Sequence, residues 1–370
     1  MKRAINLAKK AWGETHCNPM VGSVIIDGYN QIVSEGYHKR SGSPHAEIIA
    51  LEKLKASKIE PSELTLFVTL EPCSSQGRTG ACTDAIINSG IKKVVIGSMD
   101  PNPLHCGVGV KILRSAGIQV TCGILEPECR DLNLIYNHWI LHNRPLCALK
   151  VAMTIDGCMA AHSGNSKWIT NSEARQDVMY WRRLFPAIAV SQNTLQLDNP
   201  RLTSRIENIS DISISCSRRF ILNRTLKGLE SYSNYSVFND EFKEKTIVVY
   251  GEKVDKGRLN TFKKMGILGW EVKENATGLC IKDYLFRLRD FNIPGIYIEP
   301  GAHLATQLIK DRLVDYFFCY QAPKLMLDNK AALLGFNRMS ESMEDSLHLV
   351  DFRRTNFGDD SLIRGFLKKN

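Results

Sequence analysis

The chain has 370 residues and a mass of 41.6 kDa, enough for two domains that each bury a core. Hydrophobic residues make up 44% and charged residues 24%, which excludes a disordered chain and a collagen-like fibre. The formal net charge is +9, and +7 of it falls after residue 143, where there are 33 basic and 26 acidic side chains. This excess could bind phosphate groups, or it could belong to an ordinary solvated surface.

Eleven cysteines, an odd number in a long chain, fit reduced thiols and a metal site better than a disulfide-stapled secreted domain. The first ten residues lack the apolar core that a signal peptide needs. No apolar run reaches the length of about 18 residues that a membrane helix needs. We therefore expect a cytoplasmic protein with no membrane partner.

Alternating strand and helix patterns in the first part of the chain predict an α/β layer fold with a largely parallel sheet. In chain order the predicted elements are helix 4–11, strands 20–26 and 31–37, helix 45–58, strand 64–70, helix 81–89, strand 94–97, helix 110–116, strand 118–122 and helix 126–142. Pro145 restricts the residue before it to extended backbone, so we place a domain boundary between residues 143 and 144.

The remaining chain repeats the α/β pattern. Its predicted elements are strand 147–153, helix 173–184, strands 187–190, 219–222, 246–250 and 296–299, helix 303–310 and strand 316–320. Two polar stretches, 204–217 and 231–239, are typical of loops.

The strongest chemical signal is a set of metal-ligating residues in the first domain. His45 opens a predicted helix, Cys73 follows a strand, and Cys82 begins the next helix. One histidine and two cysteines with a fourth position left open are typical of a catalytic zinc, because a structural site closes with a fourth protein ligand. The helix N-terminus also favours the thiolate form of Cys82. These residues therefore predict a site for Zn²⁺.

Glu47, two residues after the ligand histidine, is the predicted general acid/base. The order H-x-E and then Pro-Cys is the signature of zinc deaminases, in which the glutamate passes a proton to the leaving amine. Eight residues separate Cys73 from Cys82, whereas nucleoside deaminases have a C-x-x-C spacing. The alternative is a pair of core cysteines beside a surface histidine. The other cysteines lack paired spacing and are predicted to be core thiols.

Further segments carry a family likeness. They are 18–22 (NPMVG), 42–47 (GSPHAE), 70–73 (LEPC), 77–79 (GRT) with Cys82, 100–103 (DPNP), 150–157 (KVAMTIDG), 165–169 (NSKWI), Thr194, 197–203 (LDNPRLT) and 299–305 (EPGAHLA). Together they closely resemble the bifunctional riboflavin-biosynthesis deaminase/reductase family, to which the eight-residue cysteine spacing also belongs. The likeness covers nearly the whole chain.

This resemblance implies a cytidine-deaminase-like three-layer α/β/α domain at 1–143 and a dihydrofolate-reductase-like α/β domain at 144–370. It implies that the first domain hydrolyses the 2-amino group of 2,5-diamino-6-(5-phosphoribosylamino)pyrimidin-4-one with Zn²⁺. The second domain would reduce the ribosyl chain of 5-amino-6-(5-phosphoribosylamino)uracil to ribityl with NADPH. Members of the family commonly form homo-oligomers, which we also expect here.

The resemblance also assigns positions that contact ligands. The positions that match cofactor contacts are Ala152, Trp168, Thr194, Asp198, Gly301, Ala302, His303, Leu304, Ala305, Thr306 and Gln307. The positions that match substrate contacts are Ser166, Arg182, Leu202, Arg205 and Glu299 in the second domain, and Asn18 and Asn102 in the first. Without the resemblance, the two asparagines would be ordinary turn residues, Trp168 a core or rim aromatic, and Arg182 part of a solvated helix face.

Several residues depart from the family pattern. Ser191 and Pro300 stand where the family usually has glycine, and a proline supplies neither a positive φ nor an N–H. Pro186 and Tyr316 replace acidic residues of the reductase half. In the deaminase half, Ser75 stands where histidine is usual, and residues 80–81 (GA) replace paired prolines.

Three hypotheses follow from the sequence. The first is a bifunctional enzyme, and the second is a deaminase whose reductase-like domain is weak or inactive. The third is a nucleic-acid-binding protein or nucleic-acid deaminase, based on the positive charge. The charge is diffuse and no basic run carries interleaved aromatics, so we expect no nucleic-acid partner.

Overall fold

The computed structural model describes residues 1–55, 59–75, 80–206, 214–229, 232–276, 278–328, 331–334 and 342–368. The chain divides into two compact units, Met1–Asn143 and Arg144–Asn370. No helix in these described ranges combines the length and the apolar character that crossing a membrane requires. The family-like segment 77–79, the end of the predicted helix 45–58 and the middle of the predicted loop 204–217 lie outside the described residues.

The first unit is a sheet flanked by helices. Its described helices are α1 (Lys2–Ala8), α2 (Ala46–Leu54), α3 (Cys82–Ser89), α4 (Val108–Ser115), α5 (Glu126–Leu132) and α6 (Leu134–His142), with 3₁₀ turns at Lys9–Ala11 and Pro61–Glu63. Its strands are β1 (Gly22–Ile26), β2 (Ile32–Tyr37), β3 (Thr65–Leu70), β4 (Lys93–Ser98) and β5 (Gln119–Cys122). The strand order is β2-β1-β3-β4-β5, and β3, β4 and β5 are parallel, whereas β1 is antiparallel to both of its neighbours.

Apolar side chains cover both faces of this sheet. Leu66 and Val68 of β3 belong to the main core, which also contains buried residues of α2, α3 and α4. Phe67, between them, packs instead with Leu7 of α1 and Val24 of β1. Successive side chains of a strand point to opposite faces. The unit therefore has three layers, α/β/α, as expected.

The apolar pattern predicts a single helix over 126–142, whereas the structure has α5 and α6, which meet at Asn133. The φ of Asn133 is −110°, outside the helical range. Its side chain accepts a hydrogen bond from the Met20 N–H at 2.7 Å and donates one to the Met20 carbonyl at 3.1 Å. The helix breaks because this side chain pairs with a distant backbone segment, which local periodicity cannot reveal.

The second unit contains a larger sheet. Its described helices are α7 (Ser172–Leu184), α8 (Gln192–Asp198), α9 (Lys256–Lys264), α10 (Ile281–Asp290) and α11 (Ala302–Lys310), with 3₁₀ turns at Tyr232–Asn234, Ser236–Phe238 and Lys243–Lys245. Its strands are β6 (Leu146–Thr154), β7 (Cys158–Ala160), β8 (Ala187–Ser191), β9 (Arg218–Leu222), β10 (Thr246–Gly251), β11 (Leu268–Val272), β12 (Glu274–Asn275), β13 (Gly278–Leu279), β14 (Gly295–Ile298), β15 (Tyr316–Ala322), β16 (Ala332–Leu333), β17 (Leu349–Phe357) and β18 (Asp360–Leu367).

Nine of these strands form one sheet in the order β11-β10-β9-β8-β14-β6-β15-β18-β17. All neighbours are parallel except the pairs that β18 makes with β15 and β17. The carboxyl ends of β8, β9 and β14 therefore lie at one edge, which is where parallel α/β sheets bind ligands. That edge carries the residues expected to bind the cofactor.

The sequence patterns did not predict α9, α10, β11 or the hairpin of β17 and β18. Phe262 is the buried residue of α9, and most residues of β17 are exposed, so neither shows a clear apolar period. The predicted loop 231–239 contains two of the 3₁₀ turns. For α9 and β17, stability therefore depends on packing against the larger sheet more than on their own sequence patterns.

Arg219, at the start of β9, is fully buried. Its guanidinium donates two hydrogen bonds to the Asp240 carboxylate, at 2.6 and 2.8 Å, and one to the Val237 carbonyl at 2.8 Å. Burial alone would raise the pKa of Asp240, but the hydrogen bonds and charge of Arg219 hold that pKa below its ordinary value. Arg219 and Asp240 thus form a buried ion pair in which the arginine keeps the carboxyl group of Asp240 ionised.

Replacing Arg219 by alanine is expected to destabilise the second unit by about 3–5 kcal/mol, because a buried carboxylate loses its partner. Urea denaturation followed by tryptophan fluorescence measures the change. Arg201→Ala is the matched control, since the Arg201–Glu241 pair is exposed and such pairs contribute about 0–1 kcal/mol. Equal unfolding midpoints for the two variants would contradict the prediction.

Candidate functional site

Three predicted metal ligands come together in the first unit. His45 precedes the first turn of α2, Cys73 follows β3, and Cys82 begins α3. The Nδ1 atom of His45 lies 3.1 Å from the Cys82 sulfur and 3.6 Å from the Cys73 sulfur. The three ligand atoms lie within 4.8 Å of one another. This geometry, with one imidazole nitrogen facing two sulfurs, fits a zinc ion that keeps one coordination position open.

The two thiols differ strongly in acidity. Hydrogen bonds from the Cys82 thiol, from His45 and from the Cys82 N–H lower the pKa of Cys73 to about 4 against the opposing effect of burial. Contrary to the expectation from the helix N-terminus, the pKa of Cys82 is raised, because its thiol donates a hydrogen bond to Cys73 and because it is buried. Zinc takes cysteines as thiolates, so metal binding here would release thiol protons.

Glu47 lies in the first turn of α2 and is 4% exposed. Burial raises the pKa of its carboxyl group to about 7. A group with a pKa near the working pH both accepts and donates protons, which is what a general acid/base must do. Glu47 lines the same cavity as His45 and Cys73, so this carboxyl group faces the space where a substrate would react.

That cavity has a volume of about 300 Å³. The predicted substrate residues Asn18 and Asn102 both line it, as does Ser75. The Asn18 amide nitrogen lies 3.5 Å from Nε2 of His38 and 3.4 Å from the Ser41 hydroxyl. The structure thus places both asparagines on the same cavity as the metal ligands.

The sequence analysis assigned no role to four residues that line this cavity, namely His38, Glu71, His105 and Tyr136. Glu71 is buried, and its carboxylate accepts hydrogen bonds from the N–H groups of Asp100, Gly107 and Val110 at 3.0–3.2 Å. It thereby fixes the loop between β4 and α4. The family-like segment 70–73 contains this glutamate and could have indicated it. No sequence motif marks His105 or Tyr136 as a cavity residue.

In the second unit, Arg182 and Glu299 lie together although 117 residues separate them. The Arg182 guanidinium donates to the two carboxylate oxygens of Glu299 at 2.6 and 2.9 Å and to the Thr203 carbonyl at 3.2 Å. Lys150 places its Nζ atom 4.0 Å from the same carboxylate. The forked donors of Arg182, a predicted substrate contact, are thus paired with Glu299.

The pKa values of Glu299 and Lys150 depend on their burial and on the charges beside them. Burial would raise the pKa of Glu299, but Arg182 and Lys150 together hold that pKa below its ordinary value. Burial lowers the pKa of the Lys150 ammonium, although Glu299 opposes the shift. The cluster therefore contains a carboxylate held in its charged form beside a lysine that gives up its proton more readily than usual.

Other predicted reductase residues are near one another. The Ser166 hydroxyl donates to the Asp198 carboxylate at 3.3 Å, and the Thr194 hydroxyl lies 3.0 Å from that of Ser191. A Cβ atom added to Gly301 would lie 3.9 Å from the Thr194 hydroxyl, so these two residues also adjoin. The Trp168 ring is 67% exposed.

The remaining predicted positions differ in how accessible they are. Ala152 lies in β6, and Leu202 is buried, whereas Arg205 is exposed. The run 301–307 covers the start of α11, where Ala305 and Thr306 are buried. Because the helix has 3.6 residues per turn, its successive side chains point in different directions, and those of Ala305 and Thr306 are turned into the protein.

Two of the departures from the family pattern have a structural explanation. The Ser191 hydroxyl accepts a hydrogen bond from the Thr194 N–H at 3.3 Å, so the serine caps α8. The φ of Gly301 is −73°, and Pro300 is not among the residues with positive φ. Proline is therefore tolerated at position 300, because this turn does not need the left-handed backbone that only glycine adopts readily.

The three-layer fold, the His-Cys-Cys set and the buried glutamate define a zinc-dependent deaminase domain, here joined to a second α/β domain. Residues 1–98 match the family described as "Cytidine and deoxycytidylate deaminase zinc-binding region". Residues 145–346 match the family described as "RibD C-terminal domain". The chain therefore combines a deaminase with a reductase.

Full-length relatives share this arrangement. The chain is 38% identical to "Riboflavin biosynthesis protein RibD" of Aquifex aeolicus (98% of this chain, 96% of that protein) and 38% identical to that of Actinobacillus pleuropneumoniae (88% and 83%). Among solved structures, "Acinetobacter baumannii RibD, form 1" has a TM-score of 0.77 at 33% identity and covers 100% of this chain and 98% of that one.

A structure from Thermotoga maritima, described as a diaminohydroxyphosphoribosylaminopyrimidine deaminase/5-amino-6-(5-phosphoribosylamino)uracil reductase, has a TM-score of 0.76 at 31% identity and covers 100% of this chain and 97% of that one. The chain belongs to the RibD family of bifunctional deaminase/reductase enzymes in riboflavin biosynthesis. The expected α/β class, the two activities and their cofactors, zinc and NADPH, are thereby confirmed. Of the three hypotheses raised by the sequence, family membership supports the bifunctional enzyme.

Proposed function

We propose that residues 1–143 remove the 2-amino group of 2,5-diamino-6-(5-phosphoribosylamino)pyrimidin-4-one by hydrolysis. Residues 144–370 then reduce the ribosyl chain of 5-amino-6-(5-phosphoribosylamino)uracil to ribityl with NADPH. The observation that carries the proposal is the convergence of His45, Cys73 and Cys82 beside buried Glu47 in one cavity. The description of the Thermotoga maritima relative supports the choice of substrates.

In the deaminase, His45, Cys73 and Cys82 would hold the zinc ion. Bound zinc supplies Lewis-acid activation of water at neutral pH. The Glu47 carboxylate accepts the proton of the attacking water and then gives it to the leaving amine. Its pKa of about 7 suits both transfers. Asn18 lines the cavity and is placed to orient the pyrimidine ring by hydrogen bonds.

In the reductase, NADPH supplies the hydride. The positions proposed to bind it are Ala152, Trp168, Thr194, Asp198 and the run 301–307. Those proposed to bind the ribosyl substrate are Ser166, Arg182, Leu202, Arg205 and Glu299. Arg182 fixes the orientation of the Glu299 carboxylate through its two hydrogen bonds. Hydride addition at C1′ breaks the bond to the ring oxygen, and that oxygen then needs a proton, which the largely buried Lys150 ammonium could hold.

The test is to follow ammonia release and NADPH oxidation by the purified protein, with the diaminopyrimidine ribosyl phosphate as substrate and the zinc content assayed in parallel. NADPH oxidation that depends on both zinc and substrate is the expected result, since the two reactions are sequential. Ammonia release without NADPH consumption would overturn the reductase half of the proposal. No ammonia release from the zinc-loaded protein would overturn the deaminase half.

We further propose that the protein is a homo-oligomer in the cytoplasm. All eleven cysteines are free in the structure, which supports a reducing compartment. The self-association expected from the family resemblance supports the oligomer. Size-exclusion chromatography with light scattering would give a mass of 41.6 kDa for a monomer, and that value would contradict the proposed assembly.

A further inference from the structure

The Lys150 ammonium in the second unit has two different kinds of partner. Its Nζ atom lies 4.0 Å from the Glu299 carboxylate. The same atom lies over the ring of Tyr320, 5.8 Å from the ring centre. The face of an aromatic ring attracts an ammonium group at this distance, because the ring quadrupole places negative charge on the face. Tyr320 is therefore a second anchor for Lys150, beside the carboxylate.

The pairing of β6 with β15 places these two side chains together. The strands are parallel, with Lys150 opposite Phe318 and Ala152 opposite Tyr320. Side chains two residues apart on a strand point to the same face of a sheet. Lys150 and Tyr320 therefore project from one face, on neighbouring strands, and their contact follows from the register of the sheet.

The ring of Tyr320 is held in one position. The side chain is fully buried, and its hydroxyl donates a hydrogen bond to the Asp177 carboxylate at 2.6 Å. The indole N–H of Trp181 donates to the same carboxylate oxygen at 3.1 Å. The ring also stacks on that of Phe357, with the two centres 6.4 Å apart. A ring fixed in this way keeps its face towards the lysine in the absence of substrate, which is the preorganisation that a reactive group needs.

Charged groups from three other elements act on Lys150. Glu299 after β14 and Asp198 in α8 raise the pKa of its ammonium, whereas Arg182 in α7 lowers it. Burial lowers that pKa most. The face of Tyr320 favours the ammonium form without adding another charge to a largely buried cluster, where each extra charge would have to be desolvated.

We propose that Tyr320 is a positioning residue of the reductase, whose ring holds the Lys150 ammonium beside Glu299 in its charged form. This inference rests on the proposed function, in which Lys150 holds the proton that the ribosyl ring oxygen takes up. Tyr320 is buried and acts through the lysine. Asp177, which binds the hydroxyl of Tyr320, helps to keep the ring in place.

The experiment measures NADPH oxidation over a range of pH with 5-amino-6-(5-phosphoribosylamino)uracil supplied. Activity should fall as the pH rises through the pKa of Lys150, because the deprotonated amine has no proton to give. Tyr320→Leu keeps an apolar side chain over the lysine but removes the aromatic face. We expect it to lower the pKa of Lys150 by about 0.5 to 1, so that activity is lost at a correspondingly lower pH. Tyr320→Phe retains the ring and should keep most of the original pH profile.

Tyr316→Leu is the matched control, because Tyr316 is a buried tyrosine on the same strand and face but lies opposite Ala148. Both leucine variants should lower the thermal midpoint of the second unit, since each loses a buried ring and its hydrogen bond. Only Tyr320→Leu should move the pH profile. An equal movement in both variants, or none in either, would overturn the role of Tyr320 and leave the proposed function intact.

A second measurement needs no turnover. In protein labelled with ¹³C-lysine, the NMR signal of Lys150 is identified by its loss in Lys150→Met, and its titration gives the pKa directly. A lower pKa in Tyr320→Leu than in the unmodified protein supports the contact, and equal pKa values overturn it. If the unmodified protein does not oxidise NADPH, the reductase half of the proposed function fails, and this titration still decides the role of Tyr320.

Discussion

Replacing Glu47 by glutamine is expected to slow ammonia release by about 10²- to 10⁴-fold, because the amide cannot take up and return the proton. Glutamine has nearly the shape of the glutamate, so His45, Cys73 and Cys82 should still bind zinc with full stoichiometry. NADPH oxidation with supplied 5-amino-6-(5-phosphoribosylamino)uracil should also continue. The measurements are ammonia release, metal content and NADPH absorbance on the same preparation.

Glu52→Gln provides the control for this experiment, since Glu52 lies on the same helix, α2, and is exposed. It removes one carboxylate from the helix without touching the cavity, so ammonia release should not change. If Glu47→Gln abolishes both activities, the two domains do not act independently. If it abolishes neither, the proton must travel through another group, and Glu47 is a buried residue of structural importance only.

The deaminase site could be predicted because its metal ligands and its general acid/base lie in short, recognisable sequence segments. His45 and Glu47 are two residues apart, and each cysteine lies next to the end of a regular element. The rest of the cavity depends on contacts across the sheet. Glu71 and the loop that carries His105 lie together only because β3 and β4 are parallel neighbours whose following loops emerge at the same edge.

The reductase site was harder to predict from the sequence for the same reason. The resemblance named Arg182 and Glu299 separately, and nothing in the sequence indicated that they pair with each other over 117 residues. The pairing adds a second role to Arg182, a predicted substrate contact, because its two hydrogen bonds orient the Glu299 carboxylate. Long-range pairs of this kind are set by the order of strands in the sheet, which local patterns do not determine.

Ser191 and Pro300, which replace glycines of the family pattern, are less disruptive to the turns of the second unit than the sequence suggests. A glycine replaced by serine suggests an obstructed turn, yet the hydroxyl of Ser191 stabilises the start of α8. A glycine replaced by proline suggests a lost positive φ, yet the neighbouring Gly301 has an ordinary negative φ. Neither position has a positive φ in this structure, so serine and proline are both compatible with the backbone found here.

Replacing Glu299 by glutamine is expected to reduce NADPH oxidation by about 10²-fold or more, even with the deaminated substrate supplied. One oxygen of the carboxylate becomes an NH₂ group that faces the Arg182 guanidinium, a donor against a donor. The arginine and Lys150 then lose a shared counter-charge in a largely buried position, and such a loss destabilises a folded unit by up to about 3–5 kcal/mol. A lower thermal midpoint of the second unit should therefore accompany the kinetic loss.

Ammonia release and zinc content separate a local effect from general unfolding, because both report on residues 1–143. Glu241→Gln is the matched control, since its pair with Arg201 is exposed, and it should leave both activities unchanged. NADPH binding measured by fluorescence titration distinguishes the remaining alternatives. Normal NADPH binding with slow reduction supports a role of Glu299 at the ribosyl substrate, whereas unchanged reduction would mean that the Arg182–Glu299 pair only stabilises the fold.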